Sequence, residues 1–229
     1  MRLINRFFGL SLVGMCILLG CKSFFVASDF NLRTQDHKSI AVVPIKMIFT
    51  GKIPEDWSNS DVLEIEDAES RSFQISLHHE LLRSTKGGRR SVSVKIQHHQ
   101  KTVTMLEQQE ISIRDSWHRS PEELAAILQV DAVVIASIEK RRFLSDLESY
   151  GIEVATHVVN ILTDYYLMPW LPFTSVAKEI KAEYSLVDGL DGSTLWSISF
   201  VEGADWRQPS NAIVDRISRK AARKFPYRL

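Results

Sequence analysis

Two short runs, "SIAVVPIKM" from Ser39 and "DAVVIASI" from Asp131, constrain what this chain can fold into more than anything else in it. Each is apolar at nearly every position over the length of one strand, where a strand with one wet face would alternate. Both therefore predict strands of a sheet covered on its two faces. Between them, "SRSFQISLHHELLRSTKGG" places Phe73, Leu77 and Leu81 at i, i+4, i+8, with Gly87 and Gly88 as C-terminal punctuation of a helix. "SVSVKIQ" puts Val92, Val94 and Ile96 on one side of a further strand. "SPEELAAILQ" then supplies Ser120 as N-cap, Pro121 at the first helical position, Glu123 to complete a capping box, and a stripe of Leu124, Ile127 and Leu128. Strand, helix, strand, helix, strand is the order of a parallel sheet built by crossovers.

The second half has a different period. In "KEIKAEYSLVDGLDGSTLWSISFVEG", Ile180, Ala182, Tyr184 and Leu186 alternate with polar neighbours, and Trp196, Ile198 and Phe200 alternate with serines. "DGLDG" between them reads as the turn of a hairpin. Pro209 and Ser210 open a last helix with Ile213, Ile217 and Ala221 inward, and basic residues toward its C-terminal end, where cations suit the helix dipole. The expected fold class is α/β: a single compact domain whose mixed sheet is parallel in its first half, carries an antiparallel hairpin near the C-terminus, and is packed with helices.

The N-terminus carries a separate message. Arg2 and Arg6 precede an apolar run from Phe7 to Gly20, which is shorter than the ~20 residues of a spanning helix. "LLGC", Leu18 to Cys21, resembles the lipobox of bacterial lipoproteins, which implies removal of residues 1–20 as a signal peptide and a covalent lipid on Cys21. The cysteine inventory agrees, because Cys16 leaves with the leader, Cys21 is acylated, and the remaining 208 residues hold no thiol. Residues 21–38 show no sustained period and are expected to be the lipidated N-terminus and a tether, leaving 39–229 as a periplasmic domain. Lys22 follows the cysteine where an aspartate favours inner-membrane retention in enterobacterial lipoproteins, so the resemblance implies the outer membrane. Without Arg2 and Arg6, 26 basic residues face 28 acidic ones, which gives no electrostatic basis for binding nucleic acid.

"IAVVPI", "LQVDAVVIASI", "YSLVDGLDGSTLWS" and "RKAARKFPYR" together resemble a broad group of bacterial envelope lipoproteins. It comprises the curli-secretion (CsgG-like) lipoproteins, the penicillin-binding-protein activator LpoB and the N-terminal domain of TolB. Pro44, Asp131, Asp188, Gly192, Leu195 and Trp196 occupy matching positions. The resemblance implies an α/β sandwich of TolB N-terminal or CsgG-like type, and roles in pore assembly, enzyme activation or envelope scaffolding. Curli-type channels carry two amphipathic membrane hairpins, whereas this chain offers one candidate segment.

That segment is 153–176, "EVATHVVNILTDYYLMPWLPFTSV", an apolar insertion in which Tyr165, Tyr166, Leu167, Trp170, Leu171 and Phe173 are candidates for membrane or partner contact. The alternative is a helix folded onto its own core and ended by Pro169 and Pro172. The pairs His78, His79 and His98, His99 are expected to be solvent-exposed, since neighbours on a helix point about 100° apart and do not chelate as an i, i+4 pair does. No metal and no cofactor beyond the lipid is expected. Asp188 and Asp191 read as turn residues, and "KGGRR" and "EKRRF" as solvated basic edges. No G-x-S-x-G, P-loop, H-E-x-x-H or dinucleotide fingerprint occurs. The expected function is thus that of a non-enzymatic, lipid-anchored interaction module, with envelope proteins as partners; the alternative is a self-oligomerising subunit of a secretion pore.

Overall fold

The computed structural model describes residues 23–50, 58–83, 93–142, 177–203 and 210–227. The strands are β1 (Ser23–Val26), β2 (Ser39–Val42), β3 (Lys46–Thr50), β4 (Lys95–Ile96), β5 (Ala132–Arg142), β6 (Ala177–Asp188) and β7 (Thr194–Gly203). The helices are α1 (Phe30–Thr34), α2 (Asn59–Arg83), α3 (His99–Glu107), α4 (Ile113–Ser116), α5 (Pro121–Leu128) and α6 (Ser210–Ala222). One mixed sheet runs β1-β7-β6-β5-β2-β4, with β3 also on β5. β2 and β3 lie parallel to β5, and β4 parallel to β2. The β5-β6, β6-β7 and β7-β1 pairs are antiparallel.

The two apolar runs pack as their composition requires. Ile40, Val42 and Val134 face one core with Phe73, Leu77 and Leu81 of α2 and Ile213 and Ile217 of α6. Ala41, Val43 and Val133 face a second, smaller core with Leu106 of α3 and Leu124 and Leu128 of α5. The first run is two strands, because Pro44 lacks the N–H of a ladder. Val42 pairs with Val134 and Lys46 with Ser137, so four residues are spent against three and the chain bulges there. In β6, by contrast, Ile180, Ala182, Tyr184 and Leu186 are buried while Glu179, Lys181 and Glu183 are exposed, so this half of the sheet is covered on one face.

Three expectations are corrected. The helix that carries "SFQISL" starts at Asn59, fourteen residues before Phe73, where its apolar stripe begins. Ser58 and Asp61 cap it reciprocally, the Ser58 amide donating to the Asp61 carboxylate at 2.9 Å and the Asp61 amide to the Ser58 hydroxyl at 3.3 Å. Its acidic first turns are solvated or paired with Arg114 of α4. The strand in "SVSVKIQ" is limited to Lys95 and Ile96 among the described residues.

The third correction concerns the tether. Residues 23–26 form an edge strand on β7, Ser23 opposite Ser199 and Val26 opposite Trp196. Phe30 is buried edge-on to Tyr227, with ring centroids 5.3 Å apart. Arg33 bridges Asp188 at 3.2 Å and also pairs with Asp191, and His37 hydrogen-bonds the Tyr227 hydroxyl. A segment without period still docks when an open sheet edge and two aspartates await it, and neither is visible within its own sequence.

Candidate functional site

Cys21 and the insertion 153–176, with Tyr165, Tyr166, Leu167, Trp170, Leu171 and Phe173, lie outside the described residues. The chain next to Cys21 does not: only Lys22 separates that cysteine from β1. Phe24, Phe25 and Val26 of β1 are exposed, at 53, 46 and 39%. Phe24 stands opposite Ile198 and Phe25 opposite Ser197, so the two rings lie on opposite faces of the edge.

The turn residues do what their chemistry suggests. Asp188 accepts the Leu190 amide at 2.9 Å and Asp191 the Ser193 amide at 3.0 Å, while Gly192 takes φ +68°. Asp131 accepts the amides of Ser39 and Lys38 at 2.7 and 2.8 Å, tying the start of β2 to the start of β5. Lys140, in "EKRRF", is not at a solvated edge. It is buried, 2.8 Å from the Glu69 carboxylate and 5.3 Å from the Phe73 ring centroid. Gly87, Gly88 and "KGGRR" fall outside the described residues.

A groove of about 260 Å³ lies where the β2-β3 link, β3, β5 and β6 meet α4 and α5, between Pro44, Trp117, Ile135, Ser137 and Ser185. Its charged lining is Lys46, Arg119 and Glu183, which assembles no triad or paired carboxylates.

The histidine pairs depart most from expectation. His78 and His79 lie near the C-terminal end of α2, His98 caps α3, and His99 opens it. The contact of α2 with the start of α3 brings all four together. His78 and His99 are buried, 1 and 7% exposed, with their Nδ1 atoms 3.4 Å apart, and His79 is exposed. The His98 ring stacks on His99 at 4.3 Å, and its Nδ1 accepts the Gln100 amide at 3.2 Å. Burial, then the neighbouring histidines, lower the pKa of His78 and His99 to about 4, so both are neutral at neutral pH. Ligating nitrogens of His78, His79 and His99 lie within 4.8 Å of one another. The spacing argument against chelation holds for each pair alone and fails for two pairs meeting across helices. Only the recurrence of His-His in the sequence hinted at it.

No family model and no curated protein matches this sequence. Among solved structures, the chain is similar to the PelC dodecamer of Paraburkholderia phytofirmans, at TM-score 0.44 and 13% identity over 92% of this chain and 100% of that one. It is also similar to lipoprotein GNA1162 of Neisseria meningitidis, at TM-score 0.41 and 16% identity over 80% and 94%. The C-terminal domain of LpoB from Salmonella enterica gives TM-score 0.35 and 11% identity over 76% and 92%. All three scores are below 0.5, too low to carry anything about function or partners.

Proposed function

We infer that this chain is an outer-membrane-anchored periplasmic lipoprotein that acts by protein contact, without catalysis, in an envelope assembly. The observation that carries this reading is the seating of β1. If Cys21 bears the lipid, the folded sheet begins two residues from the acyl chains, and the exposed Phe24, Phe25 and Val26 lie beside them. The anchor then holds the domain against the bilayer surface. One acyl chain holds weakly and two or three firmly, at ~0.8 kcal/mol per buried methylene. Polar surface on the open half of the sheet, without a convergent set of acid and base groups in the groove, suits contact more than chemistry.

Replacing Cys21 by Ser tests the anchor. The variant is expected to leave the membrane fraction, and mass spectrometry of the wild type to show a chain starting at an acylated Cys21. An intact leader, or equal membrane retention by the variant, would overturn the reading.

A further inference from the structure

We propose that His78, His79 and His99 form a binding site for one zinc-class divalent cation, a role independent of the lipid anchor and of the contact function.

The geometry is the first support. Nitrogens bound to zinc at ~2.0–2.1 Å in a tetrahedron stand ~3.3–3.4 Å apart. His78 and His99 already hold that separation, at 3.4 Å, and the third nitrogen lies within the 4.8 Å of the whole group. His79, the exposed member, supplies the third nitrogen, and a side chain at the surface adjusts its position more easily than one in the core.

The second support is that the scaffold holds the two buried ligands in place. His99 sits in the first turn of α3, and its ring is backed by the stacked His98, whose Nδ1 is engaged by the Gln100 amide. His78 rides on the long α2, in the same stretch whose Leu77 and Leu81 pack into the main core. Ligands on two rigid elements give a pre-organised site.

Charges of both signs surround the cluster. Asp215 and Glu80 are the carboxylates whose charge reaches His79, and Arg83 opposes them. Glu80 is itself engaged by Arg83 at 3.1 Å and Arg219 at 3.3 Å, and Asp215 accepts the Ser76 hydroxyl at 2.7 Å. With three imidazoles and no carboxylate among the ligands, the donor set selects zinc, copper or nickel over magnesium and calcium. The other reading of the cluster is a hydrogen bond between two neutral rings, for which 3.4 Å is long.

The test uses the full chain, purified in detergent without a histidine tag and stripped of metal. Zinc is titrated against a chromophoric chelator at neutral pH, with His79→Gln, His99→Gln and His118→Gln in parallel. One zinc per chain is expected, with affinity reduced at least ~10-fold in His79→Gln and His99→Gln. His118→Gln, which changes an exposed histidine outside the cluster, is expected to bind as the wild type does. Zinc should raise the melting temperature of the wild type and not of His79→Gln, whose exposed position keeps the fold intact even if His99→Gln is unstable. Absence of a saturable single equivalent, or wild-type affinity in His79→Gln, would overturn the proposal, the latter marking adventitious binding elsewhere on the chain.

Discussion

Arg33 reaches from the N-terminal segment to both carboxylates of the β6-β7 turn, and this contact has a measurable acid signature. The hydrogen bond from Arg33, followed by those from Ser193, lowers the Asp191 pKa to about 2. In the unfolded chain the same group titrates near ~3.9. As pH falls, the unfolded state takes up the proton first. The stabilisation is therefore complete above ~4 and is lost between ~4 and ~2. Urea midpoints measured across that window should fall in the wild type and fall less steeply in Arg33→Gln, which also starts lower at neutral pH; identical slopes would mean that Arg33 does not hold Asp191. The buried Lys140–Glu69 pair obeys a different rule at the same scale. Its charges are withdrawn from water, so its net contribution rests on the closeness of the 2.8 Å contact.

Among the elements, the β6-β7 turn is bound as much by its neighbours as by its own residues. Gly189 donates its amide to the Asp131 carbonyl at 2.8 Å, and a Cβ there would stand 2.5 Å from the Ala125 Cβ and 2.8 Å from that carbonyl oxygen. The turn is thus clamped between α5 and the start of β5. Gly189→Ala is expected to destabilise the fold by about 1–3 kcal/mol, read from chemical unfolding. A loss within a few tenths of a kcal/mol would show that the turn can lift away. The capping signals met mixed outcomes. Ser120 accepts the Glu123 amide at 3.2 Å as its sequence suggests, but the Glu123 carboxylate turns to Arg119 at 2.7 Å. The full reciprocal box forms at Ser112 and Asp115, which head the short α4. A cap can be read from four residues, but the competing partner of its carboxylate cannot.

For the whole molecule, the docked β1 changes how an anchored domain would move. A free 17-residue tether reaches at most ~60 Å, whereas β1 on β7 leaves Lys22 as the spacer. Inserting about 15 Gly/Ser residues between Lys22 and Ser23 gives a coil of roughly 20 Å r.m.s. span. In vesicles, energy transfer from the domain tryptophans to a headgroup acceptor should drop on insertion; no change would mean that β1 is not what holds the domain near lipid. The comparison of sequence with structure follows the range of the forces involved. The strands of the two apolar runs, the alternation of β6 and β7, the DGLDG turn, the α5 cap and the inward stripes of α2 and α6 were legible, because periodicity and turn chemistry are set within a few neighbouring residues. The sequence by itself determined the single mixed α/β sheet and its change from parallel to antiparallel pairing. Only the tertiary structure decided that residues 23–37 dock, that Lys140 is buried and that His78, His79 and His99 converge. Each of these depends on partners between about 20 and 190 positions away, and no local pattern records a contact whose other half lies that far along the chain.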